Sequence, residues 1–434
     1  MEAAPEVLAK PPAARAVMRA AMNRNPTTPQ PATAERRAAT ATALAATLWI
    51  QAVVSWALLT VPVFAPTAAA DVGVPASAIG YYASLAYVGA MAGALMGGGF
   101  VPRFGAVRVS QAGLAVCALG LAAAAPGWWP LIALGALVMG FGYGPATPAS
   151  SHVLARHTPP RLRSLVFSIK QTGVPLGGAL AGATVPPLTL WLGWQGAALA
   201  VALFCLGSVA LVQLARPRLD ADRSRNEPWL GGNPLAPLRF VLGRRDLRVL
   251  AVTSLAFSAI QQCLGVFLVT YLTAEVGLSL VSAGLILSVS QGGGIVGRIA
   301  WGWMADLMDR AGAGRSRVLL GLLALGMVAS CAALGFVTRD WPMAALAAVA
   351  AAYGLTGVGW NGVLLADVAR LAGPEQASRA TGGTLFVTFF GVVTAPPILG
   401  ELARLSGSFA VMYLVLAALA APCAWVFLRR ERGS

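Results

Sequence analysis

Gly89-Ala90-Met91-Ala92-Gly93-Ala94-Leu95-Met96-Gly97-Gly98 and Gly293-Gly294-Ile295-Val296-Gly297-Arg298-Ile299-Ala300-Trp301-Gly302 carry one pattern twice, at an offset of 204 residues. Gly89, Gly93 and Gly98 fall on Gly293, Gly297 and Gly302. Each stretch lies inside an apolar run of about the 20 residues that a bilayer-spanning helix requires. Small residues at every fourth position clear one face of such a helix for a close neighbour. A second echo matches Gly140-Phe141-Gly142-Tyr143 to Gly357-Val358-Gly359-Trp360. Spans repeated in this way predict two equivalent membrane halves related by an axis along the membrane normal. A ligand site is then expected between the halves, near mid-membrane.

Outward from these stretches the chain divides into twelve apolar runs. They lie near 43–66, 78–100, 107–125, 131–154, 165–189 and 194–215, then 248–273, 281–304, 318–338, 342–369, 381–403 and 409–428. The predicted organisation is a disordered cytoplasmic tail (1–42), a six-helix bundle (43–215), a cytoplasmic linker (216–247), a second six-helix bundle (248–428) and a short cytoplasmic tail (429–434). Within the linker, Glu227-Pro228-Trp229-Leu230 with Pro234 and Pro237 reads either as a membrane-surface segment or as a plain connection. The fold class expected is an all-α membrane protein of twelve transmembrane helices in two pseudo-symmetric six-helix bundles.

Charge placement supports that topology. The chain has 434 residues, of which 57% are hydrophobic and 11% charged, against about 25% charged in a soluble domain. Every Lys and Arg except Arg339 and Arg404 falls where this topology puts cytoplasm or a cytoplasmic helix end. That bias orients polytopic proteins, and it places both termini inside. The net charge of +15 is therefore a topology signal and a contact with anionic lipid. It forms no stripe for nucleic acid, which is not an expected partner. Cys117, Cys205, Cys263, Cys331 and Cys423 each fall inside a span, without metal-ligand spacing, so no metal, cofactor or disulfide is expected. The Pro-, Ala- and Arg-rich N-terminus is too long and polar for a cleavable signal peptide.

With these spans and repeats the chain resembles the major facilitator superfamily from about residue 43 to 428. Gly302-Trp303-Met304-Ala305-Asp306, followed by Arg310, Arg315 and Arg317, is similar to the family's inter-span signature. The first-half copy keeps Gly98, Arg103 and Gly105 but has Pro102 where the family usually has Asp. The resemblance implies gating roles for Arg103, Asp306 and Arg310, and a monomer in the cell inner membrane. Gly173-Val174-Pro175-Leu176-Gly177-Gly178 resembles the Gly-Pro motif of drug/proton antiporters but is one residue short, and it is read as a bend. Gly297-Arg298-Ile299-Ala300-Trp301-Gly302 is similar to span 8 of the monocarboxylate, oxalate/formate and nitrate porters, in which an arginine holds the anion.

An ionisable side chain at mid-helix costs about 2.5–3.5 kcal/mol in a bilayer, so the few present are informative. Arg298 lies about 9 Å inside the cytoplasmic end of span 8, and Lys170 lies at similar depth in span 5. Both read either as anion-holding groups or as side chains reaching back to the headgroups. The first six spans contain no carboxylate, which disfavours a cationic substrate. Asp367, Glu275 and His152 remain as proton carriers. Arg370 one turn beyond Asp367 also suits a helix-end ion pair, and His152 also suits an interfacial hydrogen bond. Gln51, Ser55, Trp56, Tyr81, Tyr87, Tyr143, Gln171, Gln261, Gln262, Gln291, Trp360 and Asn361 are the polar candidates for lining a cavity, each buried amide needing a protein or water partner within lipid. Gln261 with Asn361 is the preferred pair. Pro175 and the other intramembrane prolines are expected to bend helices and leave carbonyls free.

The sequence thus predicts a secondary active transporter of a small solute working by alternating access. The favoured substrate is a small organic or inorganic anion such as a monocarboxylate, with a co-transported proton or an exchanged second anion. Broad-specificity efflux of apolar compounds and a non-transporting membrane sensor stay open. No paired carboxylates or nucleophile–base set suggest an enzyme.

Overall fold

The computed structural model describes residues 33–159, 162–220, 236–311, 316–373 and 376–429. Among these residues, ten helical stretches are long and apolar enough to cross a bilayer. One of them, Leu165–Gln213, holds two passes, because Gly193 (φ 72°, ψ 167°) interrupts it between Leu192 and Trp194. The shorter helix Ala106–Ala122 supplies one more. Among the described residues twelve passes result, in the predicted order.

Span 1 is Thr33–Val72, span 2 Ile79–Phe104 and span 3 Ala106–Ala122. Span 4 is broken into Trp129–Tyr143 and Ala146–His157. Span 5 begins with Arg163–Gln171, and the helix Gly173–Gln213 completes it and forms span 6. In the second half, span 7 is Arg245–Ala274, span 8 Leu280–Ala311 and span 9 Ser316–Gly335. Span 10 is broken into Met343–Gly357 and Asn361–Ala372, span 11 is Ala377–Ser406 and span 12 Phe409–Arg429.

One sequence boundary shifts. The helix of span 1 begins at Thr33, inside the segment expected to be a disordered tail, because the Ala-rich run before Trp49 favours helix. Thr40 there donates from Oγ1 to the His157 carbonyl at 2.6 Å, which ties the run to span 4. Residues 1–32 and 430–434 lie outside the described residues. So do 221–235, including Glu227-Pro228-Trp229-Leu230 and Pro234. The described parts of the linker form the helices Arg216–Leu219 and Ala236–Gly243, and the second packs on span 11, with Pro237 against Gly383.

The two halves share one packing rule. A methyl placed on Gly89 or Gly93 would strike the carbonyls of Leu137 or Phe141 in span 4. In the second half, Gly293 and Gly297 meet the carbonyls of Ala351 and Leu355 in span 10 in the same way. Gly140 packs on the Ala86 carbonyl and Gly354 on that of Ser290. Spans 2 and 8 therefore correspond at the expected offset of 204. Spans 4 and 10 correspond at 214, so the partner of Gly140 is Gly354 and not Gly357. The clustered glycines of Gly354-Leu355-Thr356-Gly357-Val358-Gly359 allow either register in sequence; close approach to span 8 selects one.

The halves meet along spans 1 and 7, 2 and 11, and 5 and 8. On the side away from the basic connections, Gly182 and Gly284 interlock across spans 5 and 8, and Ser288 Oγ donates to the Ala179 carbonyl at 2.8 Å. Gly80 packs on the Pro396 backbone and Ser84 hydrogen-bonds the Val393 carbonyl, joining span 2 to span 11. Of the small-residue stripes in the sequence, the one at Gly178 and Gly182 faces the other half; those at Gly89 and Gly293 work within their own halves.

Helix ends are tied by carboxylates. Asp220 accepts from the Val107 and Arg108 amides at 2.8 and 3.1 Å, capping span 3 where Gly105 (φ 96°) turns the chain. Asp309 accepts from the Ser316 amide at 3.1 Å and caps span 9. Glu275 does the same for span 12 through Ser408, Phe409 and Ala410.

Overpacking a tight contact costs about 1–3 kcal/mol or more. Gly354→Val is therefore expected to lower the melting temperature of the purified protein strongly, or to prevent its isolation. Gly302→Ala, with open space around it, should melt within a degree or two of wild type.

Candidate functional site

Three interruptions in otherwise continuous helices build the site. Span 4 breaks at Gly144-Pro145, span 10 at Val358-Gly359-Trp360, and span 5 between Gln171 and Gly173. Irregular backbone at membrane depth is tolerated where it faces protein or a cavity. In span 5 the cause is Pro175. Proline has no N–H, so the carbonyl four residues earlier, that of Gln171, loses its helical donor.

Arg298 fills that vacancy. Its Nη1 donates to the Gln171 carbonyl at 2.8 Å and its Nε to the Val358 carbonyl at 3.2 Å, the latter exposed by the break in span 10. Arg298 is 8% exposed. It joins span 8 to span 10 of its own half and to span 5 of the other. Tyr87 and Tyr143 lie within electrostatic reach of its guanidinium, and their rings meet edge to face at 6.2 Å. No carboxylate pairs with Arg298 among the described residues, so a buried guanidinium is held by neutral carbonyls. Lys170 is buried beside it, with Nζ 3.4 Å from Gln171 Oε1.

Next to Arg298 lies a cavity of about 30 Å³, lined from both halves. Ser55, Leu58, Leu59, Tyr87, Tyr143 and Val174 come from the first half; Gln261, Gln262, Gly265, Gln291 and Val358 from the second. It has room for roughly two waters, so a larger ligand requires the halves to move apart. Gln261 is locked in place: its Oε1 accepts from Trp360 Nε1 at 3.1 Å and from Asn361 Nδ2 at 3.0 Å. With both contacts on the oxygen, the amide N–H groups remain to donate toward the cavity. Gln51 is buried behind the wall, 3.4 Å from both Ser55 Oγ and Thr147 Oγ1.

The family profile described as Major Facilitator Superfamily matches residues 44–382. The chain belongs to the major facilitator superfamily. It is a multi-pass membrane transporter and not an enzyme. It is similar to the gallate transporter of Pseudomonas putida, 30% identical over 393 residues that cover 78% of this chain and 86% of that protein. It is also similar to monocarboxylate transporter 11 of Mus musculus, 26% identical over 371 residues, 81% of this chain and 78% of that one. In structure it matches a bacterial homolog of the human lysosomal transporter Spinster, in an inward-facing and occupied conformation. That match has a TM-score of 0.68 at 13% identity and covers 90% of this chain and 96% of the other.

The superfamily's signature positions lie apart from the cavity. Arg103 is half-buried near the end of span 2, with its guanidinium 5.7 Å from the Phe104 ring. Asp306 and Arg310 are exposed on the last turns of span 8, which continues as helix to Ala311 where a loop was expected. Arg315 is outside the described residues. Arg317 pairs with Asp367 at 2.9 Å, and Arg370 pairs with the same carboxylate, which tethers span 9 to span 10. Asp367 is thus enclosed between two arginines. His152 is half-buried on the second segment of span 4 and is not among the cavity-lining residues.

Of the expected polar lining, Tyr87, Tyr143, Gln261 and Gln291 reach the cavity. Asn361 and Gln51 support it, and Arg298, Lys170 and Gln171 form one cluster at its edge. Leu58, Leu59, Val174 and Gly265 were not foreseen, because an apolar cavity residue looks like core in a membrane span. Ser55 and Gln262, both among the expected residues, also line the cavity, whereas Trp56 and the exposed Tyr81 do not and Trp360 supports it through Gln261.

Replacing Gln261 with Leu leaves two donors without their acceptor, at about 1–3 kcal/mol each. Gln261→Leu should lower the melting temperature clearly, and Gln261→Glu, which keeps the acceptor, should lower it less. An equal loss in both would show that this acceptor does not hold the wall.

Proposed function

We propose that this chain is a secondary active transporter of small organic anions, either monocarboxylates or hydroxylated aromatic acids, working by alternating access. It sits in the inner membrane with both termini in the cytoplasm, as the placement of its basic residues supports. The observation that carries this reading is Arg298: a buried, permanently charged guanidinium between the halves whose acceptors are two neutral carbonyls. A charge in such a place is costly unless paired. A carboxylate supplies the missing charge and matches the guanidinium with two parallel hydrogen bonds.

The remaining lining suits the rest of such a molecule. Leu58, Leu59, Val174 and the tyrosine faces accept an apolar or aromatic body, while Ser55, Gln261, Gln262 and Gln291 offer partners for hydroxyl groups. The similarity to a gallate transporter and to a monocarboxylate transporter points to the same chemistry. A cation finds no such welcome: between Glu35 and Asp220 the sequence holds one carboxylate, Asp71, and Trp194 Nε1 hydrogen-bonds it at 2.7 Å away from the cavity.

The same contacts support alternating access. Arg298 bonds across the interface to Gln171. A carboxylate that takes over the guanidinium removes that bond, so occupancy and the relation of the halves are linked through one side chain. A ligand shifts such an equilibrium only by its differential affinity for the two states; exchanging one inter-half bond for an ion pair supplies a difference.

Thermal stabilisation of the purified protein tests the reading. A ligand at a hundred times its Kd adds about 2.7 kcal/mol of apparent stability. Lactate, 4-hydroxybenzoate or gallate should stabilise wild type, and the effect should vanish in Arg298→Gln. Stabilisation by lipophilic cations alone, equal in both proteins, would replace the anion reading with efflux.

A further inference from the structure

Among the described residues, Lys170 is the most deeply enclosed charged side chain of the first half, 2% exposed. Its one hydrogen-bond contact is the neutral Gln171 Oε1 at 3.4 Å, and no carboxylate pairs with it among the described residues. A lysine that served only to reach the headgroups would carry its ammonium to water; this one is closed off. A lysine that served only as a structural cation would have an acid beside it.

The helix Arg163–Gln171 packs on span 1, on the second segment of span 4, on span 8 and on its own continuation. By sequence, span 1 carries Glu35, Arg36 and Arg37 at its basic end and Asp71 at the other, the second segment of span 4 carries His152, Arg156 and His157, and the continuation Gly173–Gln213 carries no charged residue. Span 8 brings Arg298, whose Nη1 donates to the carbonyl of Gln171, the residue whose side chain meets Lys170 Nζ, and carries Asp306, Asp309 and Arg310 on its last turns. Two cationic groups from opposite halves therefore share one buried place. Arg298 keeps its proton under all ordinary conditions. A second positive charge beside it is opposed by both burial and like-charge repulsion, and favoured as soon as an anion lies between them.

We infer that Lys170 is the proton-binding group of the transport cycle: its amine takes up one proton when a carboxylate occupies Arg298 and releases it when the carboxylate leaves. The amine lone pair accepts a proton from water on the open side, and the carboxylate keeps its bonds and its charge. Anion and proton then cross as a neutral pair. Two of the other three ionisable candidates have different employment. Asp367 is held between Arg317 and Arg370, and Glu275 caps span 12. This inference rests on the anion reading above, and the two fail in different ways.

The experiment uses the full chain in proteoliposomes with 4-hydroxybenzoate as probe. Wild type should exchange the probe in counterflow and accumulate it when the outside is made acid. Lys170→Arg, whose side chain keeps its proton, should show counterflow lowered several-fold but without the wild-type pH dependence, and no accumulation driven by the pH gradient. In weakly buffered solution, wild type should take up about one proton per bound probe and Lys170→Arg none. That solution measurement needs no transport, so it decides the matter even if the variant proves inactive. Accumulation in Lys170→Arg as steep as in wild type, or binding to wild type without proton uptake, overturns the inference and leaves the anion reading standing. Absence of both binding and counterflow in wild type for 4-hydroxybenzoate, gallate and lactate removes the anion reading and this inference with it.

Discussion

The structure turns on a hydrogen bond that Pro175 withholds. A helix of ordinary residues would satisfy the Gln171 carbonyl internally and leave nothing for a neighbour. Because Pro175 has no N–H, that carbonyl is free at membrane depth, where it cannot stay unpaired without cost. Arg298 arrives from the other half to take it. The guanidinium gains an acceptor but no counter-charge. The same contact therefore stabilises the empty protein and leaves it short of one negative charge at the place where the halves meet.

Everything around this contact serves to bring it about. Span 8 reaches span 10 closely enough for Arg298 to find the Val358 carbonyl because Gly293 and Gly297 present bare backbone to span 10. Span 5 lies against span 8 because Gly182 and Gly284 interlock on the side away from the basic connections. The first half repeats the glycine–carbonyl packing of the second but carries no arginine at Gly93, the counterpart of Gly297, or at Ala94, the counterpart of Arg298. Two halves of common architecture thus differ in charge at this position, and the positive charge of the second faces Lys170, the contribution of the first. Pseudo-symmetry supplies the interface, and its local violation supplies the chemistry.

Much of this was legible in the sequence for physical reasons. Lipid forces every backbone group to bond internally, so spans announce themselves as long apolar runs; the same constraint makes Arg298, Lys170, Gln261 and Asn361 conspicuous. Gln261 and Asn361, the pair preferred as cavity lining, bond to each other at 3.0 Å and only Gln261 lines the cavity, while the bend at Pro175 follows from its missing donor. Other features depend on packing that no periodicity reports. The register of spans 4 and 10 was misread by three residues because Gly354, Gly357 and Gly359 offer several alignments. Arg317 as second partner of Asp367 comes from a different span, so spacing could reveal Arg370 and not Arg317. Leu58, Leu59 and Val174 differ from lipid-facing residues only in what lies opposite them.

The central claim is that a carboxylate replaces backbone carbonyls as the partner of Arg298. A structure of the protein bound to 4-hydroxybenzoate tests it most directly. The account predicts carboxylate oxygens at hydrogen-bond distance, about 2.7–2.9 Å, from the Arg298 guanidinium, the bond to the Gln171 carbonyl broken, and the ring among Tyr87, Tyr143 and Gln261. A ligand bound elsewhere, with Arg298 still donating to Gln171 and Val358, would contradict it.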